Sequence, residues 1–354
     1  MMYIEERIKT LQELSKLLKI KDKKNIPSTF SDLMDKWENA VGKEHFYHSW
    51  FIPEFVDAAL ASLVQMMQGE DGHALERWTD AYRPALAEKK TARRVGVIMA
   101  GNIPLVAFHD FLCTFIAGDV FVGKMSSHDT RLWPVLFEIL CRINPEVRPY
   151  VELTGGRWGK VDRVIATGSN NSTRYFDYYF GSLPHIIRGH CNGAAVLDGT
   201  ESGEQLRGLA RDICLYFGLG CRNVSKIFVP ENYDFAPLFH AMDEEFKPVY
   251  SLHHSYLNNL EYQKTVHLIN SLPFLDQGIT LFKESEALAS PISVVHYAYY
   301  KDLSAVWESL RTPEVQCIAT GLEAPLPTVP LGGTQTPSLD QYANNIDTLK
   351  FLLS

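Results

Sequence analysis

The sequence lacks the signatures that usually announce metal, disulfide or nucleic-acid chemistry. Its six cysteines, Cys113, Cys141, Cys191, Cys214, Cys221 and Cys317, are far apart with no CxxC pair, which excludes a disulfide framework or zinc knuckle and predicts reduced thiols. HExxH, EF-hand and GxSxG motifs are absent, and the adjacent His253 and His254 lack the i, i+4 spacing of two ligands on one helix face, so no metal is expected. Asp plus Glu number 42 against 34 Lys plus Arg, a net charge of -8, so no basic field exists to hold a nucleic-acid backbone. The most apolar stretch, residues 95–123, is interrupted by Asn102, Pro104, His109, Asp110 and Asp119; a bilayer span of about 20 apolar residues would not carry these, so the stretch reads as core. The opening MMYIEERIKT has no unbroken apolar region, which predicts a cytoplasmic chain and leaves the NxS/T matches at Asn170, Asn171 and Asn223 without weight.

What is present is enough apolar material, 46% of 354 residues, for two or three packed units at about 150 residues per domain. Ile4, Ile8, Leu11 and Leu18 form an amphipathic stripe that predicts a helix over 4–20, and the lysines that follow suit its C-terminal dipole. Helical patterns at 30–40 and 53–68, the latter opening on Pro53, complete a helical leader of about 85 residues. Strands at 93–100, 119–124, 161–167 and 194–198 then alternate with helices at 104–117, 129–142 and 171–180. This alternation predicts an α/β fold with a doubly wound parallel sheet covered by helices on both faces. A helix at 202–217 and strand 225–230 lead into a second α/β unit, with helices at 235–245, 257–271 and 302–310 and strands at 278–282, 291–297 and 315–320. A Pro/Gly-rich loop then precedes a last helix at 338–352. The expected division is 1–85 leader, 86–212 dinucleotide-binding domain, 213–321 catalytic domain and 322–354 tail.

Four places could carry chemistry. GDVFVGKM (118–125) nearly matches a phosphate loop, but Met125 replaces the magnesium-binding hydroxyl and DVFV has strand texture; no GxGxxG follows any expected strand either. Lys124 at a strand's end could still reach a ribose or phosphate, and GSNNST (168–173) could present backbone N–H groups, although Gly168 and Ser169 read equally as a turn and helix cap. Cys221, in FGLGCRNVSKIFVP, follows glycines that let the chain turn sharply, and Arg222 or Lys226 could favour its thiolate; the alternative is a small buried hydrophobe. Asn102, just past strand VGVIMA, could donate to a developing oxyanion, worth about 3 kcal/mol per fixed donor, or could simply cap the next helix.

In order, these segments resemble the aldehyde dehydrogenase superfamily, and within it the LuxC-type acyl-CoA reductases. VGVIMAGNIPL (95–105) is similar to the strand with the oxyanion-hole asparagine, AGDVFVGKMSS (117–127) to the cofactor strand ending in lysine, and IATGSNNST (165–173) to the Gly-Ser turn beside the dinucleotide diphosphate. AAVLDG (194–199), GLGCRNVSKIFVP (218–230) and PLGGTQTPSLDQY (330–342) resemble the strand before the nucleophile helix, the nucleophile segment and the C-terminal stretch. The resemblance implies Cys221 as nucleophile and Asn102 as oxyanion donor, with Lys124, Ser126, Ser127, Gly168 and Ser169 binding the cofactor. It also accounts for the missing GxGxxG.

The departures refine the expectation. The stretch where aldehyde-oxidising members carry a water-activating glutamate here reads IIRGHCNG (186–193) and holds no acid, which protects a Cys221 thioester from water; His190 is there to exchange a proton or to serve as a structural imidazole. Ser127 stands near the position of the ribose-binding carboxylate of NAD-preferring relatives, which with Lys124 favours NADPH over NADH. No glutamate is evident around Ser290 and Pro291, where many relatives place one. The expected activity is NADPH-dependent reduction of a fatty acyl thioester, from acyl-CoA or an acylated carrier protein, to a long-chain aldehyde by a homo-oligomer. The alternatives are aldehyde oxidation and a non-catalytic acyl-binding module.

Overall fold

The computed structural model describes residues 2–354 except Lys21, His128, residues 169–174 and Asp177. Two compact units emerge, Met1–Gly189 with Thr336–Ser354, and His190–Gln335.

The first unit opens with the helical leader: α1 (Ile4–Leu18), α2 (Ser31–Lys43), α3 (Pro53–Gln68), α4 (Ala74–Asp80) and α5 (Arg83–Glu88). The stripe on α1 is buried at Ile8, Leu11, Leu14 and Leu17, and Pro53 takes the first turn of α3, where a missing N–H costs nothing. Next come β1 (Arg94–Ile98), α6 (Phe108–Ile116), β2 (Val120–Lys124), α7 (Leu132–Ile143), β3 (Val151–Thr154), β4 (Arg163–Thr167) and β5 (His185–Arg188). Among the described residues the strands form one parallel sheet in the order β3-β2-β1-β4-β5.

Both faces of that sheet are covered, as its continuous apolar runs require. Val95, Val97, Phe121 and Ile165 pack with the leader, α6 and α7, while Val122, Val164 and Ala166 pack with Trp158, Phe176 and Phe180. The leader is pinned by Arg7, buried in the core, which donates to the carbonyls of Phe115 (3.1 Å) and Ile116 (2.5 Å) at the end of α6, where orphan acceptors and the helix dipole favour a cation. Arg188 at the end of β5 is buried too, donating to both oxygens of Asp110 at 2.8 Å and to Thr348 at 2.6 Å.

The second unit runs β6 (Asn192–Val196), α8 (Gly203–Cys214), β7 (Val224–Pro230), α9 (Ala236–Tyr250), α10 (His254–Ile269), β8 (Leu275–Asp276), β9 (Leu281–Glu284), β10 (Val294–Tyr300), α11 (Leu303–Ser309) and β11 (Val315–Thr320). Its sheet has the order β11-β6-β7-β10-β9-β8, parallel except for the short β8, which is antiparallel to β9. The division between the units follows Gly189, because β6 pairs with β7 and β11; the expected boundary lay at 212.

The last helix needs correction. Only α12 (Thr348–Leu353) is helical, while Asn344 and Asn345 at φ 54 and 55° break the segment before it and Asp347 caps it by accepting from the Lys350 N–H. The tail is also held by Leu339, Leu349 and Leu352, buried in the core, and by polar contacts to the leader: the Trp78 indole donates to the Tyr342 hydroxyl at 2.8 Å, and Tyr82 to Asp347 at 2.7 Å. No helix among the described residues is long and apolar enough to cross a membrane.

Candidate functional site

In the first unit the strand order reverses between β1 and β4, the arrangement that opens a ligand crevice at the carboxyl ends of the strands. Three expected site residues lie at that edge. Lys124 is the exposed last residue of β2, in register with Ile98 and Thr154. Gly168 follows β4 and donates its N–H to the Arg188 carbonyl at 3.2 Å. Asn102, half-buried, lies four residues beyond the end of β1. It does not cap the helix that follows: α6 begins at Phe108 with Ala107 in the cap position, and residues 101–107 form a separate turn in which Leu105 has φ 54°. Ser126 is half-buried and Ser127 exposed just past β2. Ser169 lies outside the described residues.

A residue that sequence reasoning missed sits under these loops. Asp129 is 1% exposed, and its Oδ2 accepts the Leu105 N–H at 3.1 Å. Burial pushes its carboxyl up to about 7 against the hydrogen bonds from Leu105 and Trp133. Nearby Glu44, equally buried, also rises to about 7, first through burial and then through the Asp129 charge, with Arg131 opposing. In the sequence Asp129 looked like the start of a helix over 129–142; that helix begins at Leu132.

In the second unit Cys221 stands, half-buried, in the turn between α8 and β7. Helix α8 stops at Cys214, and two consecutive non-glycine residues, Tyr216 (φ 57°) and Phe217 (φ 55°), take left-handed conformations that cost about 1–2 kcal/mol each. Aromatic packing holds them there. The Phe217 ring lies 4.3 Å from His253, 4.9 Å from Tyr250 and 5.4 Å from Tyr256, and the Tyr250 hydroxyl donates to the Cys214 carbonyl at 2.6 Å.

Asn223 closes the turn from the other side. Its side-chain N–H group donates to the carbonyls of Asp212 (3.0 Å), Ile213 (3.3 Å) and Leu215 (2.8 Å), and its Oδ1 accepts the Gly220 N–H at 2.8 Å. One side chain thus supplies partners for the orphan carbonyls of α8 and fixes the glycine before Cys221. Gly193 on β6 completes the support: a Cβ there would lie 2.6 Å from the Arg222 carbonyl oxygen and 2.7 Å from that of Asn223, so only glycine allows the strand this close.

A cavity of about 140 Å³ borders the turn, lined by His190, Phe217, Gly218, Gly220, Asn223 and Ser290 among others. His190 and the Cys221 turn therefore share one cavity. Behind them, Asp212 is fully buried and accepts from the N–H groups of Gly332 (2.6 Å) and Thr334 (3.0 Å) and from the Thr334 hydroxyl (2.7 Å). Burial still pushes it up to about 6. This carboxylate ties the GGT stretch of residues 332–334 to α8.

The chain matches no family model and no curated protein by sequence. Its fold has clear counterparts among solved structures. Indole-3-acetaldehyde dehydrogenase in complex with NAD+ is 12% identical with TM-score 0.62, covering 90% of this chain and 72% of that one. A Mycobacterium tuberculosis aldehyde dehydrogenase complexed with NAD+ is 14% identical with TM-score 0.59 over 90% and 73% of the two chains. The aldehyde dehydrogenase KauB from Pseudomonas aeruginosa is 13% identical with TM-score 0.58 over 90% and 72%. The protein has the α/β fold of the aldehyde dehydrogenases.

Proposed function

We propose that this protein is a nicotinamide-dependent oxidoreductase that reduces a fatty acyl thioester to an aldehyde, with Cys221 as nucleophile. The observation that carries the reading is the placement of Cys221 on the turn between α8 and β7, braced by Asn223 and bordering the cavity that His190 lines.

In this reading the Cys221 sulfur attacks the acyl carbonyl carbon, the C–S bond to CoA breaks, and the CoA thiol departs with a proton, leaving an acyl thioester on the enzyme. The Asn102 amide and the Cys221 backbone N–H hold the oxyanion. Exposed Lys124 with the hydroxyls of Ser126 and Ser127 makes a donor set suited to phosphate and ribose groups, and Ser127 adds no carboxylate to repel a 2'-phosphate, which favours NADPH. When bound, the reduced nucleotide supplies the hydride. The thiohemiacetal on Cys221 then releases aldehyde and restores the thiol, with His190 placed at the cavity to exchange the proton.

Octanoyl-CoA without nucleotide is the test. Intact mass should rise by one octanoyl group, absent in Cys221→Ala; no adduct, or the same adduct on the variant, ends the reading. The aldehyde dehydrogenase fold favours a second reading, oxidation of aldehyde to acid. Residues 186–193 carry no acid to activate water, so acid formation from aldehyde should be slower than thioester reduction; the reverse ranking favours the second reading.

A further inference from the structure

Two of the proposed site loops leave neighbouring strands of the first sheet: the Asn102 turn after β1 and the Lys124–Ser127 segment after β2. Asp129 touches both. Its backbone N–H donates to the Ser126 carbonyl at 3.2 Å, and its carboxylate accepts from the Leu105 N–H within the Asn102 turn at 3.1 Å. Leu105 has φ 54°, a conformation an ordinary side chain keeps only where its surroundings enforce it. Pro104, beside it, has no N–H to offer, so the Leu105 amide is a natural place to hold the turn.

The carboxylate is an expensive anchor. Asp129 is 1% exposed, its Oδ1 has no hydrogen-bond partner among the described residues, and buried Glu44 repels it. Packing alone would be served by an apolar side chain at this place. What the carboxylate supplies is an acceptor aimed at one amide of the turn that carries Asn102.

We propose that Asp129 is a positioning residue that fixes the Asn102 turn to the loop after β2, so that the oxyanion donor and the nucleotide-binding segment move as one piece. This rests on the reading of Asn102 as the oxyanion donor. Asp129 does not touch substrate; it acts through the Leu105 amide.

A double-mutant cycle on the full-length protein tests it, reading the rate of Cys221 acylation by octanoyl-CoA and the KM for NADPH. Removing an oxyanion donor costs on the order of a hundredfold, so Asn102→Ala should slow acylation to that degree. Asp129→Ala should slow it by about tenfold with the NADPH KM unchanged, since its backbone bond to Ser126 survives. The double variant should be no slower than Asn102→Ala, because a displaced turn costs nothing once its donor is gone. Asp129→Asn, which keeps an acceptor oxygen, should acylate within about twofold of the wild type.

Wild-type acylation by Asp129→Ala, or losses that multiply in the double variant, would overturn the proposal while leaving the Asn102 reading intact. Wild-type acylation by Asn102→Ala would instead overturn that reading, and this inference with it. Should Asp129→Ala fail to fold, amide exchange decides: a Leu105 N–H that exchanges as fast as an exposed loop amide in the native protein, or one that loses its protection in Asp129→Asn, overturns the proposal, and a protected one that exchanges no faster in Asp129→Asn upholds it.

Discussion

Asp212 and Asp129 do similar work in the two units and do it under different conditions. Each is a buried carboxylate that accepts backbone N–H from a loop near proposed site residues. Asp212 has three donors, from Gly332 and Thr334. Asp129 has the Leu105 amide and Trp133, a second buried acid nearby, and an oxygen without a partner among the described residues. The carboxyls rise accordingly, to about 6 for Asp212 and about 7 for Asp129. The same residue type is a structural clamp when its lone pairs are filled. Half filled, it is a costly anchor.

The comparison breaks most decisively through Asp212→Ala. This substitution leaves three buried donors unpaired and should cost about 3 kcal/mol or more, seen as a lower urea midpoint, whereas Asp129→Ala, which also removes an ill-solvated charge, should cost only about 1 kcal/mol. Equal losses would show the two carboxylates to be equivalent.

Next in size is Gly193→Ala. Its Cβ would meet the carbonyl oxygens of Arg222 and Asn223 at 2.6 and 2.7 Å, backbone atoms that cannot swing aside. A loss of about 2 kcal/mol and a slowed acylation of Cys221 are expected, measured by denaturation and by intact mass.

Smallest, for either group alone, is the pH response. Glu44 and Asp129 have folded values of about 7, above those of an unfolded chain, so the folded state binds more protons between roughly pH 4 and 7. The stabilisation is therefore fully present below about pH 4 and is lost as pH rises through 7. Thermal melts from pH 8 down to 6 should show rising stability, about 1.4 kcal/mol in total for each group, reduced in Asp129→Asn. A flat profile in both proteins would place the carboxyls in better solvated surroundings.

Much of the fold was legible in the sequence because its signals are local. The stripe Ile4, Ile8, Leu11 gave α1 to within two residues of its end, Pro53 marked the first turn of α3, and the run at 315–320 coincides with β11. The short edge strands β3, β5 and β8 are not legible in the sequence: VELT alternates and HIIR is apolar at its centre, but four residues are too few to stand out, and LD is only two. Gly218 and Gly220 put the end of α8 at 217 in the sequence; the aromatic cluster around Phe217 that holds Tyr216 and Phe217 left-handed is built from α9, α10 and the turn between them, far along the chain. At the candidate site, Lys124 and Cys221 are legible because they stand at expected element ends. Asn223 and Gly193 did not, because their importance is a matter of which carbonyls they approach.

The sequence by itself determined the alternation of helix and strand, the places where the chain must turn, and the residue types available at those turns. Hydrophobic periodicity and the conformational limits of proline and glycine act over a few residues, so they are written where they operate. Only the tertiary structure decided that β6 joins the second sheet, that Asn102 stands clear of the helix after it, and that Asp129 and Asp212 each hold a loop. Strand partnership and the burial of a charge depend on which distant segments come to lie alongside, and that is fixed by packing many residues at once.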